Sequence, residues 1–322
     1  MNGMVYGRIE GIRCPISKIF LGTAERTMLS GGNADALLDG AAERGINAFD
    51  CARSYGRAEE VLGSWIKRRG NRKEIVVLSK GGDIQNGIVK VNRQVIREQL
   101  EKSLNTLQTD YIDLYLLHRD DPKTPAGEMV ETLNEAKRAG KITKFGVSNW
   151  TIERIQEADR YAKEHGLESF AVSSPNWGLA RQMQDLWGGG CVTISGPEHA
   201  EDRVWYAETG MPVIAYSSLG RGFFSGKFRS DDPENAAQIL DEYARKGYLY
   251  PENMIRLRKA EQLAEKYGET VAEIAMRYVF SGPMNVFAVV STGKPERLDS
   301  SIRAASRPLT PEETAWLEED AP

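Results

Sequence analysis

The feature that most constrains this chain is an alternation. Eight short apolar, β-branched runs recur, each followed by a stretch with helical periodicity. The runs are 19–21, 46–49, 75–78, 111–117, 142–147, 170–172, 213–215 and 286–290. Helical patterns follow at 34–44, 58–69, 92–106, 127–138, 152–164 and 198–208. After the seventh run a long excursion, 216–252, precedes helices at 254–266 and 271–280, and the eighth run leads to a helix at 296–304. Asn33 is placed to cap the first of these helices, and Gly45 to end it. Strand–helix repetition of this kind builds a parallel sheet, either closed into a (β/α)8 TIM barrel or left open and doubly wound. The open fold announces its phosphate site as Gly-x-Gly-x-x-Gly after the first strand, and here Gly22-Thr23-Ala24-Glu25 stands there. The expectation is therefore a barrel, one domain over 1–322. A hairpin around 4–6 and 12–15 would precede it, and extra C-terminal helices, the last starting at Glu312, would follow it.

Composition removes other classes. The chain has 322 residues, 41% hydrophobic and 27% charged, so it can bury a sizeable core. Its net charge of −4 speaks against a broad nucleic-acid surface. No apolar run approaches the roughly 18 residues of a membrane span. Residues 1–13 lack a basic patch followed by an apolar stretch, so no signal peptide is expected. Three scattered cysteines, Cys14, Cys51 and Cys191, suit a reducing cytoplasm. The three histidines form neither His-x-His nor His-Glu-x-x-His, so no metal is expected.

In a barrel, residues just past each strand converge on one mouth. The second run gives Asp50, with Tyr55 in its loop; the third leads to Lys80 and the fourth to His118. These four types suit carbonyl reduction. Hydride arriving at a carbonyl carbon leaves an alkoxide that needs a proton. A tyrosine hydroxyl, with a free pKa of about 10, is a poor acid at neutral pH, and a nearby ammonium makes it a better one. Lys80 would supply that charge and Asp50 would hold Lys80. His118 would orient the carbonyl oxygen. Taken singly, each residue has an ordinary structural reading: a helix cap, packing, a solvated charge, a satisfied core histidine. Their joint occurrence at consecutive strand ends favours chemistry. Cys51 reads as a small buried filler and Lys67-Arg68-Arg69 as a solvated helix end.

The set Asp50, Tyr55, Lys80 and His118 resembles the tetrad of the aldo-keto reductase superfamily in type, order and strand placement, and the likeness covers nearly the whole chain. The resemblance implies a bound nicotinamide cofactor and hydride transfer between its C4 and an aldehyde or ketone. It implies that Gly22 and Thr23, with Asp50, line the cofactor channel. It further implies that Ser148 and Asn149 contact the carboxamide and that Tyr216 stacks on the ring. Ser217, Leu219, Arg221 and Lys227 would follow along the cofactor, and Ser291, Gly293, Lys294, Arg297 and Ser301 would hold the adenosine phosphate. Lys294 and Arg297 favour NADP(H), since a 2′-phosphate needs positive partners, with NAD(H) as the alternative. Two departures stand out. Ser173, Ser174 and Asn176 occupy the place of the usual glutamine, and Ser300-Ser301 that of the usual Glu-Asn pair.

Arg26, Trp150, Trp177 and Trp187 are expected in the substrate pocket, with Arg119, Phe223 and Phe224 as further candidates at the mouth. The substrate would be a small carbonyl compound, and segment 177–204 resembles bacterial members associated with sugar or inositol metabolism. Two rivals share the fold. One is a cofactor-sensing regulatory subunit with little turnover; the other is a lyase or isomerase acting on a phosphorylated sugar without nicotinamide.

Overall fold

The computed structural model describes residues 3–83 and 89–319. A two-stranded antiparallel hairpin, β1 (Tyr6–Gly7) and β2 (Ile16–Ser17), precedes the barrel. Eight parallel strands follow: β3 (Ile19–Gly22), β4 (Ala48–Asp50), β5 (Val76–Gly81), β6 (Ile112–Leu117), β7 (Ile142–Ser148), β8 (Ser173–Ser174), β9 (Val213–Ala215) and β10 (Val286–Val290). They close in sequence order, with β10 paired to β3. The fold is a TIM barrel with extra C-terminal helices, as the alternation predicts. Helices 58–69 and 152–164 fall on the expected residues.

Two cores flank the strands. Phe20, Ala48, Val76, Leu78, Leu114, Leu116, Val172, Ile214 and Phe287 fill the barrel interior, and Ile9, Ile12 and Ile16 of the hairpin region pack on them. The intervening residues, Ile19, Leu21, Phe49, Val77, Tyr115 and Leu117 among them, face the helices. This is the period-two alternation of strands sandwiched between two apolar layers. The hairpin therefore covers part of the interior that the strands leave open. No helix among the described residues is long and apolar enough to cross a membrane.

Three local expectations shift. The first helix starts at Asp35 with Ala34 as its cap residue; Asn33 accepts the Asp35 N–H from one position further out. The strand expected at 170–172 is Ser173–Ser174, because Phe170 is spent on packing against Phe145 and Trp150 while serine hydroxyls bond into the ladder. The excursion after β9 contains two short helices, Pro233–Ile239 and Glu242–Tyr248, capped by Asp232 and Asp241.

Candidate active site

Strand alternation explains why the polar residues meet. Ala48, Leu78, Leu116, Val172 and Ile214 point into the barrel. Two residues further along each strand stand Asp50, Lys80, His118, Ser174 and Tyr216, on the same face but at the mouth. Lys80 Nζ donates to Asp50 Oδ1 at 2.5 Å and to the Cys51 carbonyl at 3.0 Å, and lies 3.4 Å from the Tyr55 hydroxyl. The Tyr55 and His118 rings meet edge to face, with centroids 5.7 Å apart. The four residues singled out in the sequence thus form one contact group.

The loop carrying Tyr55 is tied from both sides. Its Arg53 N–H donates to the Lys80 carbonyl at 2.8 Å, and the Arg53 guanidinium pairs with buried Glu59 on the next helix. Glu59 also accepts from Ser79 at 2.7 Å, so the residue before Lys80 and the loop holding Tyr55 share one anchor.

Electrostatics follow from burial. Asp50 and Lys80 are both almost fully enclosed. Burial opposes the Lys80 charge, but the Asp50 carboxylate and the Tyr55 oxygen outweigh it and hold its pKa above the usual lysine value. Burial pushes the Tyr55 hydroxyl up to about 12, with Lys80 pulling the other way. The expected net acidification of Tyr55 is therefore absent: Lys80 only limits the rise. Burial, with Lys80 adding to it, holds His118 down to about 3, so its imidazole is neutral near pH 7. Its Nδ1 faces the Ser54 hydroxyl and the Asp83 carboxylate, each at 3.4 Å. Burial also lifts the Cys51 thiol to about 12, which suits the filler reading.

The residues expected along a cofactor divide into committed and open groups. Asn149, with a left-handed φ of 59°, has every side-chain hydrogen-bonding position filled. Its Nδ2 donates to the His118 carbonyl and to Ser148 Oγ; its Oδ1 accepts from Tyr216 Oη at 2.6 Å and from the Val192 N–H at 3.2 Å. Ser148 donates to the Ser174 carbonyl. Asn176 binds the Tyr216 carbonyl and Tyr248 Oη, and accepts from Thr193 and Ser195. It braces β9 and the 192–195 segment. Arg221 is ion-paired with Asp241 at 2.9 Å. Gly22 sits in close quarters: a Cβ there would come within 2.3 Å of Ser291 Oγ and 2.8 Å of a Val289 methyl. Ser217 holds a left-handed φ of 53°, and Leu219 is half-buried.

Ser291, Gly293, Lys294, Arg297 and Lys227 are exposed. Lys294 and Arg297 lead into the helix Leu298–Ala305, where positive charge and helix polarity suit a phosphate. Ser301 lies on the buried face of that helix. Thr23 Oγ1 and Ser218 Oγ, past β3 and β9, are buried; among the described residues Ser218 Oγ has no hydrogen-bond partner and Thr23 Oγ1 meets only the weakly bonding Cys51 thiol. These under-satisfied polar atoms together with exposed cations fit an anionic, polar cofactor.

The pocket expectations fare unevenly. Trp187 stays at the mouth, 5.9 Å from the Tyr216 ring, with the Arg221 guanidinium 5.7 Å from its face. Trp177 does not. It packs on Tyr278 and donates its indole N–H to the Val279 carbonyl of an outer helix, so it belongs to barrel–helix packing. Trp150 is likewise buried against Phe170, with Arg154 over its face. Phe223 and Phe224 are fully buried against each other. Arg26 is exposed on a short helix, Arg26–Leu29. Sequence reading missed Asp83 and Asp185. Asp83 bridges His118 and Arg119, and its three-residue spacing from Lys80 was the available signal. Asp185 accepts the N–H groups of Trp187, Gly189 and Cys191, folding the 185–191 loop over the mouth. Among the described residues, no cluster of His, Cys, Asp or Glu could hold a metal ion.

Comparison with known proteins agrees with this geometry. Residues 18–320 match the model of the Aldo/keto reductase family. Aldo-keto reductase YhdN of Bacillus subtilis is 31% identical over 92% of this chain and 87% of its own length. Aldo-keto reductase str7 of Strobilurus tenacellus is 28% identical over 87% of this chain and 78% of its own. Among solved structures, the glycerol dehydrogenase AKR11B4 from Gluconobacter oxydans superposes with a TM-score of 0.75 at 26% identity, covering 99% of this chain and 95% of that one. A match across nearly the whole length, on a closed barrel with these strand-end residues, places the chain in the aldo/keto reductase family of NAD(P)H-dependent oxidoreductases.

Proposed function

We propose that this single-domain chain interconverts a small aldehyde or ketone and its alcohol, with NADP(H) as the preferred cofactor and Tyr55 as the proton donor and acceptor. The observation that carries the reading is the Asp50–Lys80–Tyr55 chain, closed by His118 against the Tyr55 ring. Lys294 and Arg297 would hold the phosphates, and Tyr216 would face the nicotinamide. When bound, the cofactor supplies hydride from nicotinamide C4.

The chain's own residues handle the proton. An alkoxide is a far stronger base than a phenolate, so a Tyr55 hydroxyl at about 12 still gives up its proton as the oxygen charge develops. The phenolate left behind faces the Lys80 ammonium, which Asp50 and the Cys51 carbonyl hold in place. A neutral His118 orients the substrate oxygen best when its proton sits on Nε2. Ser54 favours that tautomer where it donates to Nδ1, against the Asp83 carboxylate at the same 3.4 Å, which can only accept from Nδ1. Because the imidazole stays uncharged, it orients the carbonyl without competing with Tyr55 for the proton.

The test is titration of the purified protein with NADPH and NADH, followed by absorbance assays on aldehydes, ketones and sugars. Saturable binding with substrate-dependent loss of nicotinamide absorbance is the expected result. Binding without turnover of any carbonyl points to a cofactor-sensing subunit. Activity on a phosphorylated sugar without cofactor overturns the proposal.

A further inference from the structure

Arg119 follows His118 directly, at the end of β6, and is buried to within 4% of its surface. A guanidinium this enclosed needs acceptors, and it has unequal ones. Nε faces Asp83 Oδ1 at 3.4 Å; Nη1 donates to the Gly190 carbonyl at 3.3 Å and to the soft Cys191 sulfur at 3.1 Å. Nη2 has no acceptor among the described residues, yet it is not among the fully enclosed atoms. Burial opposes the charge, but Cys191, Asp83 and Tyr216 around it keep the group protonated. Arg119 thus holds a spare, charge-assisted donor in the group it forms with Asp83, the Gly190 carbonyl and Cys191, directly after His118 in the chain.

Asp83 decides what that donor can take. Its Oδ1 stands 3.4 Å from Arg119 Nε and its Oδ2 3.4 Å from His118 Nδ1, so it holds the guanidinium and lies beside the imidazole. It also balances the Arg119 charge. A carboxylate on the substrate would gain little from a cation already matched and would meet the Asp83 carboxylate. A hydroxyl meets neither objection: it is neutral, accepts from Nη2 and keeps a proton to donate. Oxygens on adjacent carbons lie about one hydrogen-bond length apart, so neighbouring donors can hold both.

On the oxidoreductase reading above, we propose that Arg119 is a specificity-determining residue that binds a hydroxyl on the carbon next to the reacting carbonyl. The substrates it selects are 2-hydroxy aldehydes and 2-hydroxy ketones, and vicinal diols in the reverse direction. His118 and Tyr55 act on the carbonyl oxygen, and Arg119 reads its neighbour.

The test uses pairs matched in size: glycolaldehyde against propanal, and hydroxyacetone against butanone, with glyoxylate as the carboxylate probe. kcat and KM are measured separately for the intact protein and for Arg119→Met and Arg119→Lys. The intact protein is expected to prefer each hydroxy compound by about tenfold or more in kcat/KM. Arg119→Met should collapse that ratio by about 10- to 100-fold, mainly through KM, and Arg119→Lys, which keeps the charge without the fork, should recover part of it. A ratio unchanged in both variants, with both substrates falling together, overturns the proposal in favour of a purely structural arginine. A preference for glyoxylate overturns it in favour of carboxylate recognition. No turnover of any carbonyl, propanal and butanone included, sinks the oxidoreductase reading itself and this inference with it.

Discussion

Lys80 Nζ stands 3.4 Å from the Tyr55 hydroxyl while its shortest bond, 2.5 Å, goes to Asp50. The ammonium is thus held by one group and spent on another. Tyr55→Phe removes the proton donor and leaves the Lys80–Asp50 pair. We expect reduction to fall by about 10²- to 10⁴-fold, with NADPH affinity within about twofold of the original. Fluorescence titration beside steady-state kinetics checks both; near-normal turnover would show that Tyr55 is not the acid.

Lys80→Met should do two separable things. It leaves Asp50 as a buried, unpaired carboxylate, which costs about 3–5 kcal/mol in chemical denaturation. It also removes the charge that limits the rise in the Tyr55 pKa, so turnover drops and the alkaline limb of the pH–rate profile moves up. Adding Asp50→Asn should recover stability and not turnover. A double variant that regains rate would mean that the pair serves folding alone.

Much of this was legible in the sequence because barrel chemistry sits at a fixed phase of the strand. Once 76–78, 112–117 and 213–215 are read as strands, alternation puts Lys80, His118 and Tyr216 on the inward face at the mouth. What was not legible depends on contacts between distant segments. Trp177 and Trp187 look equivalent in sequence, but one meets Tyr278 and the other Tyr216. Ser301 follows exposed cations by a few residues, yet helix phase turns it inward. Asn149 reads as a free amide until four partners from the β6 end, Ser148, the 192 backbone and Tyr216 are seen to fill it.

That filling leads to a prediction at Tyr216. Its hydroxyl holds Asn149, while on the proposed function its ring would face a nicotinamide. Tyr216→Phe keeps the face and leaves Asn149 Oδ1 with the Val192 N–H alone, so cofactor affinity should change by no more than about threefold. Tyr216→Ala removes the face and should weaken binding by about tenfold, in line with the worth of an aromatic contact. Equal losses in the two variants would show that the hydroxyl, through Asn149, is what the cofactor needs.

Arg297→Ala tests the cofactor preference. Arg297 is exposed at the start of the helix 298–305, beside Lys294, and a 2′-phosphate is what distinguishes NADPH from NADH. The variant should lose about 10- to 100-fold in NADPH affinity and little for NADH. Parallel loss for both cofactors would assign Arg297 to the part of the adenosine they share.

The His118 imidazole makes pH a probe of the site. Its pKa lies at about 3 in the folded chain, against a usual value of about 6.5 when unfolded. Between those values the unfolded chain binds a proton that the folded chain does not, so acid favours unfolding there. Stability should fall by about 1.4 kcal/mol per pH unit from this group as pH drops below about 6. His118→Gln should flatten that part of the profile. The same neutrality predicts no inflection in the reduction rate near pH 6 to 7, roughly the range of an ordinary histidine. The tautomer is a separate matter: Ser54 can donate to Nδ1, whereas Asp83 can only accept from it. Ser54→Ala should hand Nδ1 to Asp83, move the proton off Nε2 and cut kcat/KM by about tenfold. Nitrogen chemical shifts of the His118 ring report the proton's position directly. A ring protonated on Nδ1 in the active, unaltered protein would remove the carbonyl-orienting role assigned to it.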